Sequence, residues 1–274
     1  MDNQIFKTIQ PKKELGQNFL LSKKAPEEII TLSELNPEDI VVEIGAGTGI
    51  LTKELAQRTK QVIAIEKDKE LMPMLEEACR AFKNIEFLNR DVRELLNSYK
   101  GYKREGFRAL GPYKVVANLP YYLSSFIIRR FLEIENKPEV MVLMLQKELA
   151  ERICAKAGKM SLISVMVNFY GKPELGSIVK KENFYPQPKI DSQILIIKDI
   201  KEPYDVNIKI FFRILKIGFS SKRKMLIGNL KNGLGISKEQ IIKIFNDLGI
   251  NEKARAQELS LKNWKALSKK FSDM

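Results

Sequence analysis

Between about residues 27 and 146 the chain alternates short β-branched, apolar runs with longer stretches whose apolar positions recur three and four apart. Alternation between these two periods predicts βαβ units around a parallel sheet. Strands are expected at 40–44, 61–66, 85–88, 114–118 and 140–145, and helices at 26–33, 51–57, 69–82 and 124–133. The style then changes. A helical stretch at 147–157 leads into strands at about 168–180 and 192–198, on either side of a Pro-rich loop at 185–189. Two strands so close in sequence predict an antiparallel pair added to the sheet edge. After Pro203 only helical spacing remains, at 206–218, 222–230, 238–248 and 261–271. The chain is therefore read as an α/β domain over 1–203 and a small all-helical domain over 204–274.

Composition narrows the chemistry. The 274 residues carry a formal charge of +13, which favours a polyanionic partner. Most of the excess lies in residues 201–274, with sixteen basic residues against seven acidic. Smaller basic clusters lie in the amino-terminal arm (Lys7, Lys12, Lys13, Lys23, Lys24) and in the stretch 98–114, which reads as a solvated loop or as a further contact for a polyanion. There is no histidine, which removes Ser-His-Asp and Cys-His nucleophile systems and histidine metal sites. Only Cys79 and Cys154 are present, too few for a zinc tetrad, so no metal is expected and both read as buried thiols in a reducing compartment. Residues 1–10 lack an apolar signal segment and no apolar run approaches a membrane span, so a cytoplasmic protein without membrane contact is expected.

The first strand runs into Gly45-Ala46-Gly47-Thr48-Gly49 ahead of a helix, where glycines let a ligand approach the backbone. A dinucleotide fingerprint would need glycine at position 50, which is Ile50, so a dehydrogenase is disfavoured. A turn required only for tight packing is the other reading. Glu43, two residues upstream, makes the string E-I-G-A-G-T-G, similar to the first motif of S-adenosylmethionine-dependent methyltransferases. A carboxylate there suits a cationic sulfonium ligand. Glu66 and Asp91 stand at the carboxyl ends of the next two strands, beside the crevice where open α/β sheets bind ligands. Glu66 is placed to accept ribose hydroxyls, and Asp91 the amine of an adenine.

The fourth strand ends in Asn118-Leu119-Pro120-Tyr121. An aromatic amine such as adenine N6 is a poor nucleophile because its lone pair is delocalised into the ring. Acceptance of its two hydrogens by the Asn118 side-chain oxygen and the Leu119 carbonyl drives the nitrogen toward tetrahedral geometry and aims the lone pair at a methyl donor. Pro120 fixes the turn, and Tyr121 offers a face for an extruded base.

Together with the strings 15–20 (L-G-Q-N-F-L), 145–152 and 184–192, these motifs are similar, over about residues 12–230, to the ribosomal RNA adenine N6,N6-dimethyltransferase family, most closely its bacterial small-subunit branch. The resemblance implies a Rossmann-like S-adenosylmethionine-dependent methyltransferase fold with a carboxyl-terminal helical RNA platform. It implies dimethylation of two adjacent adenines in the 3′-terminal hairpin of 16S rRNA within an immature small subunit; a monomer is the default expectation, which the sequence does not decide. It also assigns Asn18 and Leu20 to cover the cofactor, Gly45 to contact it, Glu66 to hold its ribose and Asp91 its adenine. Asn118 would touch both cofactor and target amine, Phe184 would stack the base opposite Tyr121, and Lys222, Arg223 and Lys224 would form a basic turn for RNA.

Three alternatives stand beside this reading. Large-subunit rRNA dimethylases share the catalytic strings but differ at 145–152 and 189–192. DNA adenine methyltransferases carry Pro where this chain has Leu119. A non-catalytic assembly factor would keep the basic surface and lose Glu66, Asp91 and Asn118.

Overall fold

The computed structural model describes residues 10–22, 24–97, 107 and 110–272, and the basic stretch 98–106 lies outside them. Two compact units emerge. The first holds the residues up to Ala150 together with Lys172–Ile200, and the second holds Glu151–Gly171 and the chain from Lys201 onward.

The first unit begins with a two-residue strand β1 (Phe19–Leu20) and helix α1 (Lys24–Leu32). Alternating elements follow: β2 (Ile40–Ile44), α2 (Ile50–Ala56), β3 (Gln61–Glu66), α3 (Met72–Cys79), β4 (Ile85–Asn89), α4 (Val92–Asn97), β5 (Tyr113–Asn118), α5 (Ser124–Glu133) and β6 (Val140–Gln146). After α6 (Lys147–Ile153) and α7 (Leu162–Tyr170) come β7 (Lys172–Val179), β8 (Phe184–Tyr185) and β9 (Ser192–Lys198). The main sheet has the order β4-β3-β2-β5-β6-β9-β7, its first five strands parallel and the last two antiparallel. This is the expected Rossmann-like architecture with an antiparallel pair at one edge. Strand order reverses between β2 and β5, and the crevice beyond their carboxyl ends is where such sheets bind ligands.

Burial explains the strand sequences. Val41, Val42, Val115, Val116 and Met141 to Leu145 are fully buried, as strands covered on both faces require. One cation is set into this core. The Lys114 ammonium bonds the Ser33 and Glu34 carbonyls at 3.2 and 2.6 Å and pairs with Asp39 at 2.8 Å. It thereby satisfies carbonyls left open at the end of α1.

The second unit adds α8 (Ile208–Gly218), α9 (Leu226–Leu234), α10 (Lys238–Asp247) and α11 (Leu261–Ser272). Its start differs from the expected break at 203, because α7 packs with these helices. Phe169 stacks on Phe211 at 4.0 Å and Tyr170 on Phe212 at 5.9 Å between ring centroids. The expected strand over 168–180 is correspondingly shorter. Residues 162–170 are helical, started by a reciprocal Ser161–Ser164 cap, and only Lys172–Val179 is strand. A nearly continuous apolar run buried on both sides carries no period that separates helix from strand.

Other boundaries move for local reasons. The helix expected over 69–82 is confined to Met72–Cys79, with Pro73 in its first turn, and that over 147–157 ends at Ile153. The helix expected from 222 starts at Leu226, so Lys222, Arg223 and Lys224 lie exposed in the turn before it.

Two glycines of the second unit predict opposite responses to alanine. A Cβ at Gly218 would overlap the Trp264 ring, whereas one at Gly228, within α9, meets nothing within 4 Å. Gly218→Ala should cost about 1–3 kcal/mol through overpacking. Gly228→Ala should gain about 0.5–1 kcal/mol from helix propensity. Denaturant unfolding of both variants tests the pair, and equal effects would contradict this packing.

Candidate active site

The cavity at the β2/β5 switch point is contained within the first unit and is lined by every cofactor and base residue expected from the sequence: Asn18, Leu20, Gly45, Glu66, Asp91, Asn118 to Tyr121, and Phe184. Its floor is the glycine turn. Gly45, Gly47 and Gly49 have φ of 73°, 57° and 80°, a region that strains side chains other than glycine. A Cβ at Gly45 would stand only in ordinary contact with Pro120, at 3.6 Å, so it is the backbone angle and not space that calls for glycine there.

Glu66 ties this turn to the loop after β3. Its carboxylate accepts from the Gly47 amide at 2.9 Å and the Asp68 amide at 2.8 Å, while burial raises its pKa. Glu43, one strand over, is 2% exposed, and burial pushes its carboxyl up to about 8. Cys79 behaves as the sequence suggested, a buried thiol pushed up to about 11 by desolvation.

Asp91 is less open than the sequence implies. Its oxygens accept the Arg93 guanidinium through contacts of 2.6 to 3.0 Å, and Lys67 lies 3.2 Å away. Arg93 above all, against the opposing effect of burial, lowers the Asp91 carboxyl to about 2. Any adenine amine reaching it shares these acceptors with two cations.

The Asn-Leu-Pro-Tyr segment follows β5. The Leu119 amide is spent on the Met144 carbonyl at 3.0 Å, and the Pro120 carbonyl accepts the Leu123 amide at 3.0 Å. The Asn118 side-chain amide and the Leu119 carbonyl have no hydrogen-bond partner among the described residues, although both belong to residues lining the cavity. Two unclaimed acceptors side by side are what recognition of an –NH2 group needs. Tyr121 is half-buried, its hydroxyl bonded to Ser192 at 2.8 Å. Phe184 is 3% exposed and packs as a core residue while lining the cavity.

Sequence reading placed Asn18 and Leu20 over the cofactor but missed what anchors their segment, 12–20. Lys12 and Gln17 bond the two Asp68 oxygens at 2.8 and 2.7 Å, and Lys12 reaches Glu70 at 3.0 Å. Burial would raise the Asp68 carboxyl, but these partners hold it below its ordinary value. At the other end β1 pairs with β8, setting Leu20 opposite Phe184 and Phe19 opposite Tyr185. The Asn18 side chain turns back to the Gly16 carbonyl at 3.1 Å. The signal was present, since Gln17 sits inside the L-G-Q-N-F-L string and Asp68 follows Glu66 by two, but nothing local joins them. Among the described residues no cluster of three His, Cys, Asp or Glu side chains could hold a metal, and no helix is long and apolar enough to cross a membrane.

Comparison with known proteins agrees with this geometry. The family model for ribosomal RNA adenine dimethylase matches residues 9–273. A ribosomal RNA small subunit methyltransferase A of Dehalococcoides mccartyi is 40% identical over 265 residues, covering 95% of this chain and 88% of the relative. Its namesake in Caldanaerobacter subterraneus is 38% identical, covering 92% of this chain and 94% of the relative. Among solved structures, a dimethyladenosine transferase from Plasmodium falciparum superposes with a TM-score of 0.79 at 26% identity, covering 93% of this chain and 98% of that one. The 23S rRNA methyltransferase ErmE gives 0.73 at 25% identity, covering 93% of this chain and all of that one (100%).

The Asp91 ion pairs predict an acid response. Because the folded pKa of about 2 lies below the ordinary value of 3.8, the ionised carboxylate stabilises the fold above pH 4. That contribution is lost as pH falls from 4 through 2. Asp91→Asn should therefore lower the melting temperature at pH 6, and the gap to the parent should close on acidification. A gap constant over this window would show that the pairs contribute nothing.

Proposed function

The chain belongs to the ribosomal RNA adenine dimethylase family, and on that premise we propose that it transfers methyl groups from S-adenosylmethionine to N6 of two adjacent adenines in the 3′-terminal hairpin of 16S rRNA, acting as a monomer on an immature small ribosomal subunit in the cytoplasm. The observation that carries the chemistry is the pair of unclaimed acceptors, Asn118 Oδ1 and Leu119 O, on the cavity that also holds the glycine turn and Glu66.

The residues present fit the cofactor. Glycines at 45 and 47 leave the backbone bare where a ligand must approach, and Glu66 is already oriented by two amides with lone pairs to spare for ribose hydroxyls. Asp91 is a carboxylate at neutral pH and suits an amine donor. Asn18 and Leu20 lie on the segment that closes the cavity. When bound, S-adenosylmethionine supplies an electrophilic methyl group.

The chain's own part is alignment. Asn118 and Leu119 accept the two N6 hydrogens and localise the nitrogen lone pair, Pro120 holds the carbonyl in place, and Tyr121 together with Phe184 flanks the base. No imidazole is needed, because a nitrogen carrying a new methyl group is acidic enough to lose its proton to solvent. In the second methylation one N6 hydrogen remains, so one of the two acceptors holds the amine and the other is left open.

The substrate assignment leans on the two small-subunit relatives, which are far closer in sequence than the 23S enzyme. Binding of the subunit is assigned to the helical unit, with Lys222, Arg223 and Lys224 exposed on its turn.

Labelled methyl transfer to unmethylated small subunits, with large-subunit RNA and DNA in parallel, tests the proposal. Dimethyladenosine in the small subunit alone is expected, and label only in large-subunit RNA would overturn the substrate. Asn118→Ala should lose at least 100-fold in turnover, as removal of a transition-state hydrogen-bond partner does, while subunit affinity is retained; turnover like the parent's would refute the alignment mechanism. Reversal of the three basic residues at 222–224 should weaken subunit binding and shallow its salt dependence by roughly one unit of log–log slope per lost phosphate contact. An unchanged slope would remove this turn from the interface.

A further inference from the structure

Aromatic surface that the alignment mechanism does not use stands exposed in the cavity lining and on the strand residue next to it. Tyr122 lines the cavity and is 50% exposed, and Tyr185, beside Phe184, is 41% exposed. In contrast, Tyr121 and Phe184, the residues expected to stack the target base, are half-buried and 3% exposed respectively. Exposed tyrosine rings beside a buried site are amphipathic surfaces of the kind that interfaces use.

Both rings are held by the same backbone segment that closes the cavity. Tyr122 lies so close to Gly16 that a Cβ there would stand 3.0 and 3.1 Å from two of its ring carbons. One edge of the ring is therefore fixed on the closing segment while half of it stays open to solvent. Tyr185 is placed by strand alternation. In β8 Phe184 packs into the core opposite Leu20, so alternation sends Tyr185 to the other face, that of its cross-strand partner Phe19, which lines the cavity, and there Tyr185 is 41% exposed. Cations stand in the same cavity lining at Lys67 and Arg90, suited to phosphates entering with a base.

We infer that Tyr122 and Tyr185 are stacking platforms for the nucleobases adjacent to the adenine that enters the cavity, a single-stranded RNA segment being the occupant. The inference rests on the proposed function and deepens it, because an extruded adenine leaves its neighbours unstacked at the cavity mouth. Every base offers a π-face, so such platforms hold the strand without reading its sequence. Their preset orientation lowers the cost of ordering the strand. With the two adenines adjacent, the partner of the one being methylated always has a surface to occupy.

The test uses the whole protein and unmethylated small subunits, comparing Tyr122→Ala and Tyr185→Ala with Tyr122→Phe and Tyr185→Phe. Each alanine variant should lower kcat/KM for the subunit roughly 5- to 150-fold, the usual worth of one base–aromatic stack, chiefly through KM. The phenylalanine variants should restore it. S-adenosylmethionine binding is measured alongside. Parent-like kcat/KM in the alanine variants, or phenylalanine variants as poor as alanine, would overturn the inference. So would a loss in Tyr122→Ala that is wholly accounted for by weaker cofactor binding, since the ring would then only brace Gly16. Failure of the proposed function is distinguishable, because the parent protein itself would then transfer no methyl group to the subunit.

Discussion

The bridge made by Glu66 is the constraint on which the rest of the site depends. A buried carboxylate is costly, and this one is offset by amides from two different loops, Gly47 in the turn after β2 and Asp68 after β3. By accepting both, a single side chain sets the spacing between the two loops that form the cavity floor. Asp68, whose amide Glu66 holds, in turn presents its carboxylate to Lys12 and Gln17. The closing segment is thus anchored, through one intermediate residue, on the same acid that is proposed to hold the ribose. A change at Glu66 would be felt at the turn, the loop and the segment together.

The second anchor of that segment is made of backbone. The β1–β8 ribbon is only two residues wide, but it sets Leu20 against Phe184 and closes the Leu21 amide onto the Asn183 carbonyl at 2.7 Å. A residue proposed to cover the cofactor and one proposed to stack the base therefore share one element. Two paired strand residues have little stability of their own, and this ribbon persists because Leu20 and Phe184 are both in the core. The Rossmann-like sheet supplies the scaffold, while the residues proposed to touch ligands are borne on turns and on this ribbon, the division of labour expected of binding sites.

Much of this was legible in the sequence because it is local. Strands β2 to β6 announce themselves as short apolar runs, and the glycine turn, Glu66, Asp91 and the Asn118–Tyr121 string each follow a strand directly. Since every strand of a parallel sheet ends on the same side, residues that follow strands must converge at one edge, and they do. The end of the helix over 162–170, read as the start of a strand from 168, and the start of α9 were misread for the opposite reason. An apolar run buried on both sides has no polar face to reveal its period, and the charged residues 222–224 continue a helical spacing that the chain does not adopt.

What the sequence by itself determined is the set of groups and the edge at which they gather: the α/β order, the acids at strand ends, the Asn118–Tyr121 string and the basic helical tail. Only the tertiary structure decided how each group is spent. It gave the Asp91 oxygens to Arg93 and Lys67, left the Asn118 amide and the Leu119 carbonyl unclaimed, turned Phe184 into the core and Tyr185 out of it, and drew Lys12 and Gln17 across some fifty residues to Asp68. The reason is physical. Secondary structure follows from periodicity along one chain, whereas the partner a polar atom finds depends on which loops the fold brings within 3 Å, and no local spacing encodes that distance.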